Sequence, residues 1–310
     1  MILTVTPNTA LDLVLEIDHY IPGERLKTLQ ETECIGGKGN LASAFAVDLG
    51  ARSVALAFAA GRNGRRLVTL MRKRGARPDF TPALGETRRI TVIVDAQREI
   101  QTWLVPATLQ VNARAQSDME RRAERWIPKA SWLALCGSLP PGCSPRLYER
   151  LARRAHAAGV PVLVDSRGPA LAHALAAQPE VVRLNKEELE QTLGGQIGGL
   201  VPLVAALRRL LAEGIQLAVC SLGAEGAVAV TNTGGWRFVP PRIRQKSSAG
   251  SGDAFTAAIL VDREKGGDWP QAIRWACAAG TVKARESRTD HPLDSSRVRA
   301  MVRRVKVTSL

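Results

Sequence analysis

The chain alternates short, mostly apolar runs with longer stretches whose apolar residues recur at helical spacing. The runs ILTVT (2–6), SVALAF (53–58), WLALC (132–136), PVLVD (161–165), VVRLN (181–185) and LAVCSL (217–222) carry apolar residues on both sides of a strand's pleat. Strands of that kind are covered on both faces, as in parallel sheets flanked by helices. Helical spacing predicts helices near 40–49, 62–74, 115–126, 144–158, 186–193 and 201–213, and further ones near 251–262, 269–286 and 294–304. The alternation predicts an α/β fold in three layers, α/β/α, around a mostly parallel central sheet.

Two segments break this rhythm. Residues 13–34 and 87–104 alternate apolar with polar positions, the second with a turn around Asp95–Arg98. Alternation marks strands with one wet face. Both segments come early, so they predict a small β-sheet lid standing off the main body. No linker, repeat or low-complexity stretch interrupts residues 1–310, which read as one domain. A small sheet cannot bury its apolar face by itself, so a homodimer formed through the lid is expected.

Composition narrows the picture. With 45% hydrophobic residues in 310, the chain can bury a large core, and disorder is not expected. No apolar run reaches membrane-spanning length. The opening MILTVTPN has no basic segment ahead of an apolar one and reads as a first strand, not a signal peptide. Cys34, Cys136, Cys143, Cys220 and Cys277 are scattered without paired spacing, which fits neither a disulfide framework nor a zinc site and suits the cytoplasm. The net charge of +14 is compatible with solvated helix faces, with steering of small anions, or with nucleic acid. Its densest stretches, 72–77 and 297–307, lack interleaved aromatics, and aromatic content is 4%, so nucleic acid ranks last. His19, His156, His173 and His291 form no motif.

Candidate chemistry gathers where strands end. Open α/β sheets bind ligands at the carboxyl ends of their strands. PNTALD (7–12), GGKGN (36–40), CGSLPPG (136–142), DSRG (165–168), LNKEE (184–188) and SLGAEGA (221–227) all fall at such ends or at helix starts. SSAGSGDAFTAA (247–258) adds a glycine-rich turn opening a helix, where free N–H donors and the positive end of the helix dipole make an anion site. Asp253 stands beside it. From these residues alone it is either a helix cap or a general base.

In order and spacing, TVTPNTALD, GGKG, GETR, GSLPPG, LNKEEL, SLGAEGA and AGSGDAF resemble the motifs of the ribokinase family, also called the PfkB carbohydrate kinases. The branch they most resemble holds the 1-phosphofructokinases and tagatose-6-phosphate kinases. A Walker-type G-x-x-x-x-G-K-[ST] is absent. The resemblance implies a ribokinase-like fold, ATP and Mg²⁺, and transfer of the γ-phosphoryl group to a hydroxyl of a phosphorylated ketohexose such as fructose 1-phosphate or tagatose 6-phosphate.

It also implies roles. Asp253 matches the base that takes the hydroxyl proton, with Gly250, Ser251 and Gly252 as the anion hole. Asn185 and Glu188 match N-x-x-E, Glu188 ordering the metal through water. Arg183 keeps a positive charge where the family usually has K-P-N. Ser221, Gly223 and Gly226 match the loop under the nucleotide. On the sugar side stand Asp12, Gly36, Gly37, Lys38 and Ser138. Arg88 and Arg25 are candidates for the substrate's own phosphate, since a guanidinium grips phosphate at two points.

Departures concern the substrate more than the chemistry. Leu41 stands where the family's G-G-K-G-x-N has asparagine, Arg167 replaces a small residue, and Thr9 replaces proline. A leucine cannot hydrogen-bond a sugar hydroxyl. Two alternatives therefore stay open: a phosphosugar-binding sensor with little kinase activity, and a kinase for an unphosphorylated sugar.

Overall fold

The computed structural model describes residues 1–98 and 100–310. The chain begins with β1 (Ile2–Thr6), β2 (Ala10–Ile17), β3 (Thr28–Gly36), α1 (Lys38–Asp48), β4 (Ser53–Ala59) and α2 (Gly61–Lys73). Three two-residue strands, β5 (Arg77–Pro78), β6 (Thr81–Pro82) and β7 (Leu84–Gly85), lead to β8 (Arg88–Asp95), β9 (Ile100–Leu104) and β10 (Leu109–Gln110). Regular alternation resumes with α3 (Ala113–Trp126), β11 (Trp132–Cys136), α4 (Leu147–Ala157), β12 (Val162–Asp165), α5 (Gly168–Leu175), β13 (Val181–Asn185), α6 (Lys186–Leu193), α7 (Leu200–Leu211) and β14 (Leu217–Ser221). An antiparallel pair, β15 (Ala227–Thr231) and β16 (Gly234–Val239), precedes α8 (Ser251–Glu264), α9 (Trp269–Lys283), α10 (Ser295–Val302) and β17 (Lys306–Ser309).

The main sheet runs β17-β16-β15-β14-β13-β12-β11-β1-β4-β5. Strands β4, β1, β11, β12, β13 and β14 are mutually parallel, and β15 to β17 close one side antiparallel. Alternate side chains of the parallel strands enter two cores. Leu3, Val5, Leu133, Leu135, Val162 and Val164 pack with α3, α4, α5 and α7. Ile2, Ala55, Ala134, Leu163, Val181 and Val219 pack with α1, α8, α9 and α10. These side chains are excluded from water, and each large one contributes about 1.5–3 kcal/mol by the usual burial scale. Both faces are covered, as the unbroken apolar runs require.

The lid is a four-stranded sheet, β3-β2-β8-β9. Strand β2 begins at Ala10 and β3 continues to Gly36, so these strands grow directly out of the end of β1 and into α1. The connection 18–27 is mostly exposed and lies outside both strands. The lid's own core is small: Val14, Cys34, Val92 and Val94, with Ile90 against them. No helix among the described residues is long and apolar enough to cross a membrane.

Candidate active site

Six parallel strands end on one rim, and the loops that follow surround a cavity of about 940 Å³. The lid forms one wall of it through Asp12, Arg88, Ile90 and Trp103. Another part of the wall is apolar, built from Ala224, Pro240, Pro241, Ile243, Cys277 and Ala284. The first turn of α8 also reaches the cavity, and Gly250 there takes φ +76°. A side chain at Gly250 would strike the Thr289 carbonyl as well as adopt a strained backbone. Glycine is therefore required where the turn brings its N–H groups to the cavity.

Charge is concentrated beneath that turn. Lys38, at the start of α1, donates to Asp165 Oδ1 and to Glu188 Oε1, both at 2.7 Å. The Arg183 guanidinium donates to Asp165 Oδ2 at 3.2 Å and to Ser221 Oγ at 2.7 Å. Thr256 Oγ1, one turn into α8, donates to Asp165 Oδ2 at 2.8 Å. Burial alone would push the Asp165 carboxyl up, but Lys38 and Arg183 outweigh it and hold it below the usual range. Burial also works against the Lys38 ammonium, and Asp165 with Glu188 holds it above its ordinary value. Asn185 and Glu188 close a reciprocal capping box on α6, with Glu188 N–H to Asn185 Oδ1 at 2.8 Å and Asn185 N–H to Glu188 Oε2 at 3.0 Å.

Two carboxyls behave differently. Burial, with repulsion from Asp165, pushes Asp253 up to about 7, although Lys38 and Arg183 pull the other way. Burial, then the charges of Asp253 and Asp290, push Asp12 well above the usual range. Asp12 Oδ1 is buried without a protein partner, as are Thr6 Oγ1, Asn8 Oδ1, Arg183 Nε, Ser251 Oγ and Thr289 Oγ1. All six residues line this cavity. A buried unpaired polar atom costs about 1–3 kcal/mol, so a cluster of them around one cavity marks a place where a polar ligand completes the hydrogen bonding.

Of the residues singled out in the sequence, Asp12, Gly37, Lys38, Arg88, Ser138, Arg183, Asn185, Glu188, Ser221, Gly223, Gly226, Gly250, Ser251, Gly252 and Asp253 share this cavity. Gly36 lies just behind the wall, where any side chain would collide with Asp12 Oδ1. Arg25 sits on the exposed connection between β2 and β3, away from the cavity lining. Ser138 accepts a hydrogen bond from Asn8 Nδ2 at 2.9 Å. Arg88 donates through Nε to the Thr9 carbonyl at 3.3 Å and through a second nitrogen to the Asn8 carbonyl. Lys38 is turned toward the Asp165–Glu188 pair. Asn40 is wholly buried and donates to the Gly36 carbonyl at 3.0 Å, bracing the loop, while Leu41 faces the cavity.

Sequence reasoning missed Asp165 and Thr256 as partners, and it missed the apolar wall of Ile90 and Trp103. DSRG had marked the end of β12, but nothing local indicated that Asp165 joins two cations. Trp103 could have been suspected from a bulky aromatic on a strand with one wet face.

Comparisons with known proteins define the class. The model of the pfkB family carbohydrate kinases matches residues 8–296. A 1-phosphofructokinase of Xanthomonas campestris pv. campestris is 34% identical over 266 residues, covering 84% of this chain and 83% of the relative. A 1-phosphofructokinase of Rhodobacter capsulatus is 31% identical over 314 residues, covering 100% of this chain and 98% of the relative. The crystal structure of a possible 1-phosphofructokinase from Thermotoga maritima has a TM-score of 0.92 at 25% identity, covering 100% and 99% of the two chains. The chain belongs to the pfkB family of carbohydrate kinases. It is an enzyme, a phosphotransferase with an alcohol group as acceptor, and its fold is the ribokinase-like three-layer sandwich with a β-sheet lid.

Proposed function

We propose that the protein transfers the γ-phosphoryl group of ATP to a hydroxyl of a phosphorylated ketohexose such as fructose 1-phosphate or tagatose 6-phosphate. The observation that carries this reading is Asp253: a nearly buried carboxyl, pushed up to about 7, beside an anion-binding helix turn and in the same cavity as the unpaired Asp12. A base with that affinity can accept a hydroxyl proton near neutral pH. The relatives' names, 1-phosphofructokinase, support the substrate class.

In this reading Asp12 accepts hydrogen bonds from sugar hydroxyls and orients the acceptor. Asp253 takes the proton of the attacking hydroxyl as the new O–P bond forms. The backbone N–H groups of Gly250, Ser251 and Gly252 hold the transferred phosphoryl oxygens at the α8 N-terminus, that of Ser251 being shared with the Ser248 carbonyl, to which it donates at 3.1 Å. Arg88 binds the phosphate already on the sugar: two of its donors are held by the Asn8 and Thr9 carbonyls, which leaves others for a ligand. Ser221, Gly223 and Gly226 lie under the nucleotide, and the apolar part of the cavity wall excludes water from it.

Among the described residues no group of three or more His, Cys, Asp or Glu side chains is arranged to hold a metal ion directly. Asn185 and Glu188 fit a more distant role, since both face the cavity while Glu188 is already engaged by Lys38. Mg²⁺ keeps several waters and binds largely through nucleotide phosphates, where it neutralises their charge. Asn185 and Glu188 would hold its water shell. We place the enzyme in a reducing, cytoplasmic setting, consistent with five free cysteines, and as a homodimer through the lid.

One observation favours a second reading. Leu41, Ile90 and Trp103 make part of the sugar-side wall apolar. Such a wall suits a sugar lacking a hydroxyl at that position, or a kinase selective for an unphosphorylated sugar. Turnover of phosphorylated ketoses and free sugars with ATP and Mg²⁺ decides. We expect the highest kcat/KM for a ketohexose phosphate, and a better value for any free sugar or nucleoside would overturn the proposal.

A further inference from the structure

Lys283 is the last residue of α9, and its relative exposure is 0%. Among the described residues it and Arg183 are the only buried cations. Arg183 has Asp165 as partner, but among the described residues no carboxylate lies within ion-pair distance of Lys283. Its ammonium donates to the Glu286 carbonyl, at 3.5 Å. Burying an ammonium without a paired anion is costly. A helix of this composition could end on methionine or leucine at no such cost, so the charge itself needs an explanation.

Its position supplies one. The stem of Lys283 lies directly against the Gly250 turn, with Cε 3.2 Å from the place a Cβ on Gly250 would occupy. On that same face the Thr289 carbonyl oxygen lies still closer to the same point. The Gly250 turn thus packs one face against both the Lys283 stem and the 286–290 segment, and the Lys283 ammonium reaches a carbonyl of that segment. The surrounding charged and titratable groups are Asp290 and Glu286 from that segment, His291 just beyond it and 3.6 Å from Glu286, Cys34 from β3 and Asp253 from α8. Cys34 is pushed up to about 12 by burial and stays a neutral thiol. Asp290 is engaged elsewhere, accepting from the Ile35 N–H at 3.0 Å and from Arg288 at 2.8 Å.

We propose that Lys283 is a positioning residue for phosphoryl transfer: its buried ammonium holds the Gly250–Ser251–Gly252 turn against the 286–290 segment and places a positive charge behind the donors that receive the transferred phosphoryl group. The proposal rests on the reading of that turn as the anion hole. A fixed charge behind oriented N–H groups, out of water, stabilises charge that develops in the transition state with no reorganisation. Lys283 does this without touching the reacting atoms.

Protonation gives the proposal a signature. Burial lowers Lys283 to about 8, although Asp290 pulls the other way. Its charge is therefore lost as pH rises through about 8, and kcat should fall on that alkaline side. Folding makes the charged form less favourable than in the unfolded chain, so removing the charge should not cost stability at neutral pH. A merely structural lysine would behave oppositely.

The test compares wild type, Lys283→Met and Asp253→Asn as full-length proteins across pH 6.5–9.5. For Lys283→Met we expect kcat lower by about tenfold, less than the roughly hundredfold loss of a direct donor. The sugar KM should be unchanged, the thermal midpoint at pH 7 equal or higher, and the alkaline limb absent. Should the methionine variant not fold, Lys283→Ala with added ethylammonium takes its place, and recovery of kcat by the amine is the expected result. A kcat within twofold of wild type overturns the proposal. So does a loss of kcat that follows a loss of thermal midpoint and keeps the alkaline limb, or a folded alanine variant that is inactive and unmoved by the amine. If Asp253→Asn loses turnover while Lys283→Met does not, only the role of Lys283 fails. If Asp253→Asn turns over normally, the reading of the turn itself fails and takes this one with it.

Discussion

The floor of the cavity and its lid solve opposite problems. The floor packs Lys38, Asp165, Arg183, Glu188 and Thr256 into one hydrogen-bonded cluster on the ends of covered strands, with Asp165 almost fully excluded from water. Each charge there has a partner, so the cluster is rigid, and breaking it would strand a buried ion. The lid has a core of four residues and leaves large apolar side chains in water. Among the described residues, Ile21, Leu29, Ile100, Trp103, Leu104 and Val105 are all exposed, and all lie on or beside the lid. Chemistry that depends on fixed charge sits on the stiff part. In the proposed reading, recognition and enclosure of the sugar fall to the part with little stability of its own.

The largest effect should come from the stiff half. Asp253→Asn should lower kcat at least about a hundredfold, since an amide cannot accept the proton. Wild-type kcat should rise with pH through about 7, where Asp253 loses its proton, and the variant should lack that limb. Stability should move the other way. A carboxyl held above its unfolded value contributes stability present at low pH and lost as pH rises through about 7. The variant should therefore be no less stable than wild type at pH 8, and ATP binding should hold or tighten with a negative charge removed. Steady-state kinetics and thermal melts across pH 5.5–8.5 check both. A folded variant with near-normal kcat would leave Asp253 as a helix cap only.

A smaller effect should come from the boundary between the halves. Arg88 opens β8, and its guanidinium is tied to the Asn8 and Thr9 carbonyls at the end of β1. Arg88→Ala should raise KM for the sugar phosphate by about 10- to 100-fold, the worth of a charge-assisted contact, with kcat changed much less. The KM for ATP should stay put. Equal loss for phosphorylated and free sugars would show that Arg88 supports the lid and reads no phosphate.

The same division governs what the sequence reveals. Strands β1, β4, β11, β12, β13 and β14 were legible because burial on both faces leaves an unbroken apolar run. Helix α5 was not, since GPALAHAL is short and continues a turn. Strands β16 and β17 were not, because GGWRFV opens on two glycines and KVTS is exposed throughout. In the site, glycine turns and caps are local and could be read. Pairings are not: Lys38 meets Asp165 across 127 residues and Glu188 across 150. Asn40 and Leu41 show the limit at single-residue resolution. One position decides which side chain braces the loop and which faces the cavity, and helix phase at the Gly37 start settles it.

The smallest effect on turnover, and the clearest on assembly, should come from the lid's outer surface. Leu29 is 64% exposed, Leu104 55% and Val105 58%. Removing such side chains from water is worth about 1.5–3 kcal/mol each when burial is complete. Four strands with so few buried residues gain little by standing alone, and a second copy of the lid is the surface that would cover them. We expect the wild type to sediment as a dimer at micromolar concentration, and Leu104→Asp combined with Val105→Asp to sediment as a monomer. Neither residue lines the cavity, so kcat should stay within a few-fold. Trp103, their neighbour, does line it, so the monomer's KM for the sugar should rise modestly as the wall loosens. A wild type that stays monomeric would mean that the lid's exposed face serves the sugar site alone. A dimer that survives both aspartates would put the interface elsewhere.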